Sequence, residues 1–226
     1  MKGSGDRGNL AGVTSATIMR LVIAAMIVLP VAVLHGEHMV HAMLPMLSAV
    51  FEWVSDDFQL LRLSIDHEGA DRVLRAKVMW KHIVFIGGHV IYPDPRGTAN
   101  VSTLMAHVLQ GPLTAFLLTC AWPTDGRSTL AWRCIAARML ALGPLVLVLI
   151  CIDVPVVLVG ELWQLALDAL DPGADSVLVH WKNFMQGGGR YAVGLGVAIL
   201  AVQWAAVFQR IDRKVIGSAN RHKTTA

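Results

Sequence analysis

The sequence predicts a mainly α-helical integral membrane protein, with four transmembrane helices and a small external α+β insertion, a β-hairpin, between the first and the second. Three observations carry that reading. Of 226 residues 55 % are hydrophobic and only 15 % charged, at a mean hydropathy of +0.56, too apolar for an ordinary water-soluble domain. Four apolar segments each approach the roughly 20 helical residues that a hydrocarbon core of about 30 Å requires. Finally, Lys and Arg concentrate in three short regions that alternate with two longer, less basic ones.

Residues 1–16 form a basic N-terminal tail, and the first span follows at 17–36, "TIMRLVIAAMIVLPVAVLHG", with Pro30 inside it. A basic start before an apolar run is also a signal-peptide feature, but "VAVLHGEH" offers a poor cleavage site, so the segment reads as an uncleaved anchor. Residues 37–103 are the external insertion. Within it Leu61, Leu63 and Ile65 alternate with polar residues, and so do Leu74, Ala76, Val78 and Trp80. A period of two means strand, and "DHEGAD" between the runs supplies a turn. A lone hairpin is marginal in water, so a third strand, the preceding helix, the membrane surface or a partner must cover it.

The second span, 104–123, carries Gly111 and Pro112 in its middle, and a basic loop at 124–138 leads to the third, 139–160. The loop at 161–190 begins as a helical continuation in which Leu162, Leu165, Ala166 and Ala169 share a face, until Asp171-Pro172-Gly173 stops it. Trp181, Lys182 and Phe184 then suit a helix at headgroup depth. The fourth span covers 191–209 and a basic tail 210–226. Lys2, Arg7 and Arg20, then Arg127, Arg133 and Arg138, then Arg210, Arg213, Lys214, Arg221 and Lys223 are the positive regions. The positive-inside rule therefore places both termini of a multi-pass membrane protein in the cytoplasm and both long loops outside.

Three clusters invite chemistry. "LHGEHMVHAMLPM" puts Glu37, His38 and His41 on one helical side and His35, Met39, Met43 and Met46 on another. Imidazole with carboxylate can hold zinc or copper, and thioethers suit Cu(I). A closed site would still need a ligand from elsewhere, such as His67, His82, His89 or His107; otherwise the segment is an interfacial helix with its apolar residues packed and its His and Glu solvated. No cofactor is otherwise expected. Asp153 lies inside the third span, about 21 Å from Met139 at 1.5 Å per residue, where a carboxylate is costly without a partner. Arg190 and His107 are its plausible partners, in an intramembrane polar cluster with either a structural role or a role in handling protons or substrate. "QGGGRY" brings three glycines before Arg190, as a tight turn into the fourth span or as a grip on a lipid headgroup. Cys120, Cys134 and Cys151 form no CxxC pair, and read as small apolar residues.

The stretches "LMAHVLQGPLTAFLLTCAWP", "CIDVPVVLVGELWQL" and "WKNFMQGGGRYAVGL" resemble the helical half of the exosortase H-associated membrane proteins, across residues 100–209. The resemblance implies an accessory role beside a sorting transpeptidase at the outer face of a bacterial inner membrane. It brings no catalytic residues, and the Cys, Arg and His motifs of exosortases themselves are absent. Zinc-protease and phosphate-loop motifs are missing too, which leaves an enzyme the least favoured reading. A net charge of +3 suggests no nucleic-acid partner. Two functions stay open: a non-enzymatic accessory factor with the bilayer and a membrane protein as partners, or a protein handling copper, zinc or a small solute through its His/Met segment.

Overall fold

The computed structural model describes the backbone of residues 5–123 and 128–223, with side chains over 15–123 and 132–208. In order, α1 is Gly5–Val54, β1 Phe58–Glu68, β2 Asp71–Trp80, β3 Val84–Ile86, β4 His89–Ile91, β5 Thr98–Leu104, α2 Met105–Ala121, α3 Ser128–Leu170 and α4 Val177–Phe184. A π-helical turn at Met185–Gly189 joins α4 to α5, Arg190–Lys223. Helix dominates, and among the described residues three stretches are long and apolar enough to cross a membrane: Ser15–Val54, Trp132–Leu170 and Val177–Phe208. α2 is apolar but has only 17 residues, about 26 Å of helix. In α1 only 6 % of the most apolar window is buried by the protein, against 50 % in α3. Such a surface is unstable in water and calls for lipid. The basic residues Lys2, Arg7, Arg127, Arg210, Arg213, Lys214, Arg221 and Lys223 lie outside the described side chains.

The chain divides into two compact units. One comprises Met1–Val28, Leu113–Val146 and Gly194–Ala226. Its centre is Ala115, Leu142 and Ala201, flanked by Met139, Leu145, Val146 and Val197. Alanines at the contact let helices approach closely, as helices do in lipid. Arg138 donates from Nη1 to the Trp122 carbonyl at 3.0 Å and from Nη2 to the Pro123 carbonyl at 2.9 Å. One of the predicted topology-setting cations thus caps the C-terminal end of α2, whose last carbonyls lack helical partners.

The other unit comprises Leu29–Pro112 and Leu147–Val193 and holds all the strands. The expected hairpin is present: β1 and β2 pair antiparallel from Phe58↔Trp80 to Glu68↔Asp71, around a two-residue Gly69-Ala70 turn. A third strand covers the other edge of β2, since β5 pairs with it antiparallel in the order β1-β2-β5. The expected alternation of Leu61, Leu63 and Ile65 is interrupted by a bulge between Leu60 and Arg62. The extra residue shifts the alternation. Phe58 and Leu60 precede the shift and Leu63 and Ile65 follow it on the same face, opposite Trp80, Val78, Ala76 and Leu74, while Leu61 is exposed.

The stretch after the hairpin forms a second small hairpin, β3–β4, before β5. Two helices continue beyond the expected span ends, where the sequence also reads as helix. α1 runs on past Gly36 to Val54, with Gly36, Val40, Leu47 and Phe51 buried along one face. Ser55 then turns the chain into β1, accepting from the Phe58 N–H at 3.2 Å. Likewise α3 passes residue 160 without a break to Leu170, where Asp171-Pro172-Gly173 stops it as expected.

Candidate functional site

The polar cluster forms where α3 passes the start of α5. Asp153 projects from an α3 face of buried valines and leucines, including Val154, Val157 and Leu158. Arg190 opens α5, and its Nε–H donates to Asp153 Oδ2 at 2.9 Å. The two side chains keep only 1 % (Arg190) and 5 % (Asp153) of their accessible surface. Asp153 Oδ1 and Arg190 Nη1 and Nη2 are buried without a hydrogen-bond partner among the described residues. The third expected member, His107 on α2, is half-buried, and among the described residues no hydrogen bond joins it to Asp153 or Arg190.

The glycines before Arg190 explain how it is delivered. Gly188 has φ +111°, a conformation open to glycine and strained for other residues, and it breaks the helical path between α4 and α5. A Cβ on Gly189 would sit 2.5 Å from Phe184 Cε1, so only glycine fits there, whereas Gly187 faces open space. The "QGGGR" stretch is therefore a sharp turn that aims Arg190 inward at Asp153. π-helical turns of this kind recur at functional positions.

A second buried cation was not evident from sequence. Lys182, expected at headgroup depth, is instead only 4 % exposed. Its Nζ lies 3.1 Å from Glu161 Oε2 and donates to Gln164 Oε1. Trp181 and Phe184 on the same helix stay exposed, as expected. Gly160 permits this docking, because a Cβ there would come 2.6 Å from the Leu178 carbonyl oxygen and 2.9 Å from Lys182 Cβ. The available signal was Glu161 and Gln164 at i and i+3 on one helix face beside a glycine, with a lysine on the next amphipathic segment.

In the His/Met segment, Glu37 Oε2 accepts from Arg72 Nη1 of β2 at 2.5 Å. His35, His38, Met39 and His41 are exposed. Among the described residues no group of three or more His, Cys, Asp or Glu converges in a way that could hold a metal ion. His82 pairs instead with Asp57 at 3.1 Å. Cys120, Cys134 and Cys151 form no disulfide with one another, and each is partly buried.

Compared with known proteins, the chain matches no family model, no curated protein and no solved structure.

Proposed function

We propose that this is a non-enzymatic accessory protein of a bacterial inner membrane, crossing it four times with α2 as the short span, and presenting its α+β layer outside to a membrane protein partner. An exosortase-type sorting transpeptidase is the partner class that the sequence resemblance favours. One observation carries the reading: the β3–β4 hairpin exposes Phe85 and Tyr92, at 75 % and 67 %, together with Ile83 and Val90. Its Gly87 turn is seated against the Leu170 carbonyl at the far end of α3. A contiguous apolar surface on a small hairpin is unfavourable in water and suits a protein contact. At 1.5 Å per residue Leu170 stands about 15 Å beyond residue 160, out of reach of the hydrocarbon core.

A photo-crosslinking residue at Phe85 or Tyr92, with the protein and an exosortase co-expressed, tests this reading. A specific adduct that Ile83→Asp weakens supports it. Adducts equally strong from a residue on the opposite edge, such as Leu61, would contradict it.

A further inference from the structure

Between the sheet and the outer stretch of α3 lies a half-open groove of about 330 Å³. Its sheet wall includes Phe58, Val78 and Trp80, and its helix wall Leu162 and Ala166. Leu165, on the same wall, is half exposed. Apart from the Trp80 indole N–H, no lining residue brings a polar side-chain atom. A ligand with hydrogen-bonding groups along its length, such as a peptide or sugar, would leave them unpaired there at a cost of kilocalories. A hydrocarbon chain has none to lose. The volume falls at the lower end of the range for small-ligand pockets, roughly 300–1,000 Å³.

Two features point to the source of that chain. The helix wall is the last part of Trp132–Leu170, the stretch of α3 long and apolar enough to cross a membrane, so the groove adjoins a surface suited to lipid. A second, polar cavity of about 270 Å³ shares Phe58 with the groove and is lined by Glu52, Gln59 and Lys81. A carboxylate and an ammonium lining the same cavity complement a head that carries both charges: phosphate towards Lys81 and amine towards Glu52. Head pocket and tail groove meet at Phe58, which is held by Trp80 at 4.4 Å and Trp163 at 5.9 Å between ring centroids.

We propose that the groove takes one acyl chain of a bilayer phospholipid with a zwitterionic, amine-bearing head, which Glu52 and Lys81 receive. The inference rests on the membrane reading but not on the partner. Lipid would complete the apolar layer between sheet and helix, making the fold of the external layer depend on the bilayer beside it.

The test uses the full chain purified in mild detergent, stripped of lipid, and titrated with phosphatidylethanolamine or phosphatidylglycerol, with adducts counted by native mass spectrometry. One phosphatidylethanolamine is expected per chain, bound in preference to phosphatidylglycerol, and Glu52→Gln should erase the preference. Ala166→Leu, which fills the groove, should lower affinity roughly tenfold, as if about two methylenes lost their burial. Its melting temperature without lipid should hold or rise, because a filled groove stabilises the fold; if it falls, Ala99→Leu on the sheet wall takes its place. Binding that survives both filled variants, or equal binding of the two lipids by the unaltered protein, would overturn the proposal. Membrane retention after alkaline carbonate extraction, measured in parallel, separates failure of lipid binding from failure of the membrane reading.

Discussion

Arg190 Nε donates to Asp153 Oδ2 at 2.9 Å, joining two charged side chains that are both almost fully withdrawn from solvent. Removing one member strands the other in an apolar surrounding, which costs about 3–5 kcal/mol, whereas an apolar pair of similar volume is often neutral or better. Asp153→Asn and Arg190→Met should each lower the melting temperature in detergent sharply. The double variant Asp153→Leu with Arg190→Met should recover most of the loss. If the pair instead serves a function beyond stability, the double variant will melt normally yet fail in the partner crosslink.

The three glycines before Arg190 should separate in an alanine scan. Gly188→Ala forces a left-handed conformation on a Cβ, a cost of about 1–2 kcal/mol. Gly189→Ala collides with Phe184 and should cost at least as much, while Gly187→Ala should be neutral. Thermal melts of the three variants check the order.

Lys182 ties α4 to α3 through Glu161 and Gln164. Lys182→Met keeps the aliphatic stem but removes the ammonium, leaving Glu161 unpaired. Hydrogen exchange across Val177–Phe184 should accelerate, by the equivalent of about 1–3 kcal/mol of lost protection. Unchanged protection would show that α4 is held by its apolar contacts alone.

The sheet carries an acid-sensitive contact. Arg75 Nη2 donates to Glu68 Oε1 at 2.6 Å, and that bond, followed by one with Ser102, holds the Glu68 carboxyl below its ordinary value of 4.5. A carboxyl with a depressed folded-state pKa contributes stability above the unfolded value and loses it as pH falls through the folded one. Exchange protection in β1 and β2 should therefore weaken below about pH 4.5. Glu68→Gln should flatten that dependence; an identical acid response in the variant would assign it to other carboxylates.

Much of this was legible in the sequence because it depended on local pattern. Alternation from Leu74 to Trp80 identified β2, and Gly69 the turn before it. The stripe Leu162, Leu165, Ala166 and Ala169 marked the last turns of α3, and the expense of a carboxylate in an apolar helix singled out Asp153 and its match with Arg190. What escaped depended on neighbours distant in sequence. β5 is specified by its partner, since only Val101 and Thr103 of its seven residues are buried. The bulge at Leu61 is visible only in the register with β2. Lys182 looked like a surface lysine because its acceptors lie on the preceding helix, and Arg138 looked like a topology signal because the carbonyls that it reaches, Trp122 and Pro123, follow the end of α2. The wheel grouped Glu37 with His38 and His41, but could not foresee that β2 would bring Arg72 to that carboxylate.

The proposed outward placement of the α+β layer is tested most directly by labelling single cysteines in a cysteine-free background, in spheroplasts, with a membrane-impermeant maleimide. Phe85→Cys on the β3–β4 hairpin should label in intact spheroplasts. Trp132→Cys, 72 % exposed near the start of α3, should label only after permeabilisation. Protection of the Phe85 position until the membrane is opened, or labelling of both positions in intact spheroplasts, would contradict the account.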